Sequence, residues 1–269
     1  MIKKIKHNII VIYNFLTHEQ EILYYAASLS FYTIFAIIPL LFIAFSIVSN
    51  LPSFHGKIED LKHWIFSYIV PTNSEILSNM LDTFITNTPK MGMVGVIYIA
   101  FTSLFFFRNY EFITSRMFNS KPRKLLDSLT MYWVFITFFP IMIAGVFYLI
   151  NIFGTLLSNA FHFFLFTKIA SWMTTYFLFI LLFQLSANKA LNKKILFLSS
   201  FISASVWQFF KWGFISYIAY NKAYPSLYGS ISILLISMLW IYLFWTILLF
   251  GMRLCEGINI ATDIKKDIT

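Results

Sequence analysis

Residues 207–213 read WQFFKWG and place one lysine, Lys211, inside a long apolar run. A cation in such a setting gains most from a partner of opposite charge, which makes it a candidate anion site by default. Gln208 precedes it by three positions and shares its helical face. The other polar side chains that fall within apolar stretches are Gln184, Ser30, Tyr32 and Thr33. No acid lies deep in any of these stretches, so a carboxylate proton relay or an acid-lined cation path is not indicated. A positive group suits an anionic partner better, such as a phosphate-bearing lipid head group.

Hydrolytic chemistry is harder to assemble. Metal-assisted cleavage of a phosphodiester needs carboxylates or histidines clustered around one or two ions. The five histidines, His7, His18, His55, His63 and His162, are scattered along the chain, and the 11 acids show no paired arrangement on the cytoplasmic side. The densest cluster, HEQE at 18–21, reads as the start of a helix, where acids favour the positive dipole end. His55 and His63 flank Glu59 and Asp60. That spacing matches no tight zinc pattern and fits the polar face of a surface helix equally well. No phosphate-cradling glycine loop is present, so direct ATP use is not expected. No metal and no cofactor are implied. A single cysteine, Cys255, excludes an intrachain disulfide.

The elements that must position these residues follow from composition. The chain has 269 residues, 59% hydrophobic and 12% charged, against about 25% charged in a soluble domain. Crossing a bilayer takes about 20 residues of helix. Six apolar stretches of that order are expected as spans, at about 26–48, 91–107, 129–153, 169–187, 195–220 and 230–251. The fold class is therefore all-α, a polytopic integral membrane protein forming one membrane domain over 1–269. Ile5, Ile9, Ile12 and Leu16 recur at helical spacing among polar residues, as in a helix lying on the membrane surface. Residues 49–90 carry two amphipathic patches separated by Pro71, which predicts a helical external cap. The basic N-terminus lacks a small-residue cleavage site and is read as uncleaved.

The net charge of +9 could suggest nucleic acid, but its distribution argues otherwise. With the N-terminus inside, fourteen of the 20 Lys and Arg fall in cytoplasmic segments and five in external ones, with Lys211 left over. The positive-inside rule then puts both termini in the cytoplasm, and no nucleic-acid partner is expected. Pro39 and Pro140 sit inside the first and third spans. Each removes a backbone hydrogen bond and is a candidate kink, packed against a neighbouring helix or a wet cavity. At 1.5 Å per residue, Lys211 lies roughly 5 Å to the external side of the midpoint of its span. There a lysine facing lipid costs roughly 2.5–3.5 kcal/mol. Two readings stand: an outward snorkel, or an inward-facing functional cation.

With the spans placed, several stretches resemble the YihY/BrkB family of bacterial inner-membrane proteins. AASLSFYTIFAIIPLLFIAFSI, residues 26–47, is similar to that family's first helix: small residues, an aromatic pair, a Ser/Thr, then Pro-Leu-Leu. YGSISILLISMLWIYLFWTILLFG, residues 228–251, is similar to its last, with a glycine closing the apolar run. FNSKPRK at 118–124 and WQFFKWGFISYIAY also fit. There are departures. Family members commonly follow the closing glycine with Ala-Glu-Leu, whereas GMRLCE puts Arg253 at the acid's position and Glu256 one helical turn later, where it could substitute spatially. The loop after the fourth span often carries a proline, and here it reads LSANKALNKK. The resemblance implies an inner-membrane location and an envelope role. The family has carried the label ribonuclease BN and labels linked to virulence and serum resistance. Movement of an envelope lipid or other amphiphile is the activity it permits, with membrane lipids and anionic head groups as partners. The alternative is a non-transporting scaffold or lipid-organising protein. There Ala26, Ser30, Thr33 and Gly145 serve helix packing. The sequence does not specify an oligomeric state.

Overall fold

The computed structural model describes residues 19–49, 101–124, 160–220 and 231–267, with isolated helical positions between 79 and 152. Among these residues every regular element is helical. Helix α1 is Glu19–Ser49, α2 covers residues 101–117, α3 is Ala160–Ser186, α4 is Lys193–Tyr220 and α5 is Ile231–Asp267. The surface helix expected over 5–16 and most of the cap expected over 49–90 lie outside the described residues, as does Pro140. Two described stretches, Phe166–Ser186 and Leu235–Ile260, are long and apolar enough to cross a membrane.

The helices pack in the spatial order α1, α5, α4, α3. Helix α1 buries Ile22, Ala26, Leu29, Thr33 and Ala36 wholly or in part, a stripe spaced alternately four and three residues apart. Helix α5 answers with Ile241, Trp245, Leu248, Met252 and Cys255 at the same spacing. Such a seam suits helices packed nearly antiparallel. Helix α2 lies across three neighbours. Its Asn109 donates to Ser28 of α1 at 3.0 Å, Tyr110 shares a 2.5 Å hydrogen bond with Ser186 of α3, and Phe106 and Tyr110 pack on Trp245 of α5. The opposite faces of the helices expose Phe31, Phe35, Phe101, Phe105, Phe201 and Phe209 among many others. An apolar exterior of this kind is what a bilayer requires and water does not.

At one end the helices outrun the expected spans. The second span ends at Phe107 by hydropathy, but α2 continues to residue 117; the last ends at Gly251, but α5 continues to Asp267. Arg108, Glu111 and Arg253 lower the hydropathy without ending the helix, because backbone hydrogen bonding is indifferent to side-chain polarity. Gly251 closes the apolar run but not the helix. It is a point of close approach: a Cβ there would collide with Ser203 Oγ of α4 and lie 2.7 Å from Phe183 Cζ of α3. Helix α1 likewise runs as one element through Pro39.

Two asparagines end two of the helices. Asn119 follows α2 with φ 46° and Asn188 follows α3 with φ 42°, both in the left-handed region that asparagine tolerates better than most residues. At Asn119 the turn is a Schellman motif: Ser120 N–H donates to Ser115 O at 2.9 Å and Asn119 N–H to Arg116 O at 3.4 Å. The Asn188 side chain then donates to Lys121 O at 2.8 Å, tying the two connections together. Helix α4 starts on Asn192, whose side chain accepts from Lys194 N–H at 3.1 Å as an N-cap.

Candidate functional site

Lys211 and Gln208 do not sit alone in lipid. Tyr176 donates to Phe197 O at 3.3 Å and Trp172 packs on Phe201, so α3 and α4 run antiparallel. Further along, the Gln208 amide donates to Thr175 Oγ1 at 3.1 Å and to Ser171 O at 3.4 Å. One turn beyond Gln208 on α4, half-buried Lys211 comes within electrostatic range of Lys168, one turn before Ser171 on α3. The result is a polar seam of Lys168, Ser171, Thr175, Gln208 and Lys211 between two otherwise apolar helices. Lys168 counts in the sequence as an ordinary external cation. The signal that could have singled it out is its helical phase with Ser171 and Thr175, three and seven positions on.

The remaining candidates lie elsewhere. Gln184 is exposed on α3, nine residues past Thr175 and so on the opposite side of the helix. Ser30 is buried and donates back to Ala26 O at 2.6 Å. Thr33 donates to Leu29 O at 2.6 Å and accepts from Trp245 Nε1 at 2.9 Å, which fastens α1 to α5. Tyr32 is half-buried against the core and meets Phe31 edge-on. Of these three, Thr33 joins α1 to α5 directly.

A second polar region was not visible as a pairing of acids along the chain. Glu111 on α2 is buried, accepts from the Arg123 backbone N–H at 2.8 Å and pairs with Arg123 Nη1 at 3.3 Å. The other guanidinium arm donates to Leu185 O at 2.6 Å, in the last turn of α3. Glu256 on α5 is also buried and accepts from Lys189 Nζ at 2.6 Å, while its second oxygen has no hydrogen-bond partner among the described residues. Both acids are thus paired, each with a base from a helix connection. Arg253, one turn before Glu256, lies within electrostatic range of it and of Glu21. Burial and the adjacent Glu21 carboxylate push the Tyr25 hydroxyl above its usual pKa. The helical phase of Arg253 and Glu256 was the available clue. The partners Arg123 and Lys189 lie too far off in sequence to be deduced. No group of three metal-ligating side chains occurs among the described residues.

The family model described as Virulence factor BrkB matches residues 16–266, nearly the whole chain. The chain belongs to the BrkB family. Its relatives include a UPF0761 membrane protein of Haemophilus influenzae, 28% identical over 90% of this chain and 91% of the relative. Another, from Aggregatibacter aphrophilus, is 27% identical over 88% and 87%. A third, from Actinobacillus pleuropneumoniae, is 28% identical over 90% of each. No solved structure matches the chain. As a member of the BrkB family it is a bacterial membrane protein, consistent with its apolar helices. The match spans both polar regions, the α3–α4 seam and the charged end. It assigns a role to neither.

Proposed function

We propose that this BrkB-family protein binds an anionic lipid or amphiphile and moves it across the bacterial inner membrane, with the α3–α4 seam as its ligand site. The observation that carries the reading is the orientation of Gln208, whose amide meets Ser171 and Thr175 of α3 and so sets its neighbour Lys211 along the interface between two helices. A cation held at such an interface, partly shielded from lipid, is what an anionic head group needs. In this reading the chain crosses the membrane six times with both termini in the cytoplasm, Pro39 and Pro140 mark adjustable helices, and no covalent chemistry is performed. A non-transporting scaffold is the second reading. The Thr33–Trp245 hydrogen bond and the back-bonded Ser30 favour it, because they spend the polar groups of α1 on packing.

Reconstitution separates the two. Liposomes containing the purified protein should exchange a labelled anionic lipid between leaflets faster than empty liposomes, and Lys211→Ala should slow that exchange. Exchange no faster than in protein-free liposomes would remove transport and leave the scaffold.

A further inference from the structure

Where α1 meets α2, one exposed face changes character along its length. Asn109 bonds to Ser28 and Phe112 meets Tyr25, in reverse chain order, so the two helices run antiparallel. On α2 the exposed residues Phe101, Phe105, Arg108, Phe112 and Arg116 recur three or four positions apart and form one stripe. The first part of the stripe is apolar, with the rings of Phe101 and Phe105 4.5 Å apart. Phe31 and Phe35, exposed on α1, fall at the same level by the antiparallel register. The second part is cationic. The Arg116 guanidinium lies over the Phe112 ring, 5.5 Å from its centroid, and Tyr24 of α1 is 74% exposed nearby, next to Tyr25. Glu21, one turn before Tyr25, is an exposed acid at this end of α1, and Arg108 and Arg116 outnumber it.

We propose that this α1–α2 face docks an anionic glycerophospholipid, with Arg116, held over Phe112, gripping the phosphate and the acyl chains lying along Phe101, Phe105 and Phe31. The site is separate from the α3–α4 seam and does not rest on it. A guanidinium offers a planar fork of N–H donors that fits a phosphate bidentately. A ring beneath the fork narrows the conformations of a long side chain, so less freedom is lost when the phosphate arrives. Arg108, two turns earlier on the stripe, adds a second positive charge that favours a net negative head group. A choline head group would bring its own cation toward that arginine. A lipid uses both halves of the stripe at once, whereas a soluble anion leaves the apolar half without a partner.

Native mass spectrometry of the full-length protein in mild detergent tests the site, with phosphatidylglycerol and phosphatidylcholine of identical chains as probes. Phosphatidylglycerol should bind about fivefold more tightly, the scale of one basic residue acting on an anionic surface. Arg116→Lys keeps the charge but loses the fork, and should weaken phosphatidylglycerol about tenfold, the scale of one charge-assisted hydrogen bond. Phe112→Leu should weaken it about threefold, the scale of an exposed cation–π contact. Arg108→Lys should change little, because only its charge is used. Arg116→Lys binding as tightly as the wild type would reduce the contact to bulk surface charge and overturn the site, as would equal binding of the two lipids. Both Arg116 and Phe112 are exposed, so the unfolding midpoints of their variants should match the wild type. A loss of affinity that tracks a fall in midpoint would assign these residues to packing and overturn the site. Inorganic phosphate at equal concentration should fail to displace the lipid; displacement would assign Arg116 to a soluble anion. Each ratio should persist in a Lys211→Ala background, whatever the leaflet-exchange assay returns. Ratios that vanish there would place the lipid in the seam and overturn the α1–α2 site.

Discussion

Two polar regions share this apolar molecule, and they are built on opposite electrostatic plans. At the charged end, Glu111 meets Arg123 and Glu256 meets Lys189, opposite signs within 3.3 Å and 2.6 Å. In the α3–α4 seam, Lys168 and Lys211 have the same sign and lie within electrostatic range of each other. Opposite charges in a low-dielectric setting hold elements together, and losing one partner strands the other. In the seam the helices are held instead by the Gln208 amide on Thr175 and Ser171 and by aromatic packing between Trp172 and Phe201. The difference separates a region tied together by ion pairs from one joined by neutral hydrogen bonds and ring packing.

The sharpest way to break this contrast is to remove one charge from each region and compare stability. Arg123 ties Glu111 of α2 to the Leu185 carbonyl of α3, and its side chain is only 10% exposed. Arg123→Ala should cost about 3–5 kcal/mol, the usual cost of stranding a buried charge, seen as a large fall in the unfolding midpoint in detergent. Glu111→Gln should cost less, because the amide oxygen can still accept from the Arg123 backbone. A midpoint unchanged by Arg123→Ala would mean that the ion pair does not organise the end of the bundle.

Next in size is an asymmetry within the second pair. The Glu256 side chain is 3% exposed and that of Lys189 is 35% exposed. Lys189→Ala leaves a carboxylate buried without its partner and should cost about 1–3 kcal/mol. Glu256→Gln leaves a lysine that can turn to solvent and should cost less, and adding it to Lys189→Ala should restore part of the loss. Thermal unfolding of the three variants checks the order. Equal losses from the two single substitutions would show that burial of the acid is not what makes the pair matter.

How much of this was legible beforehand depended on what each feature requires. The helical class and the membrane setting were legible because they are sums over many residues, and no single side chain decides them. The shared face of positions 208 and 211 was also legible, because two residues three apart on one helix must share it. That Lys168 comes within electrostatic range of Lys211 was not legible, because it depends on how α3 and α4 align, which no local pattern encodes. The same holds for Arg123 and Lys189, which reach their acids across 12 and 67 residues of chain. The close packing at Gly251 was not legible for a related reason. A glycine at the end of an apolar run looks like a stop, and only the proximity of Ser203 and Phe183 shows that it is a crossing point.

A smaller effect is expected where α1 meets α5. Thr33→Val removes the acceptor for the Trp245 indole N–H and keeps the side-chain volume. A loss of about 1 kcal/mol is expected, typical of one intramolecular hydrogen bond. Trp245→Phe in the same background should add little through that bond, and a double-mutant cycle in detergent isolates the shared term. Strict additivity of the two would mean that the bond contributes nothing to the contact.

The smallest stability effect should belong to Gln208, and it is the most telling. Its two hydrogen bonds are long, at 3.1 Å and 3.4 Å. Thr175 Oγ1 keeps its own donation to Ser171 O at 2.9 Å when the amide is removed, so no buried group is stranded. Gln208→Leu, similar in size and apolar, should therefore leave the unfolding midpoint within about 0.5 kcal/mol of the wild type. Its effect on ligand should be larger than its effect on folding, because the amide fixes how the two helices meet just below the lysines. Exchange of a labelled anionic lipid between leaflets should slow severalfold, since the amide holds the Lys211 stretch of α4 against α3. A variant as destabilised as Arg123→Ala would place Gln208 with the charged end as part of the frame. Unchanged stability with slowed exchange would make it a positioning residue beside Lys211, which acts on the ligand and not on the fold.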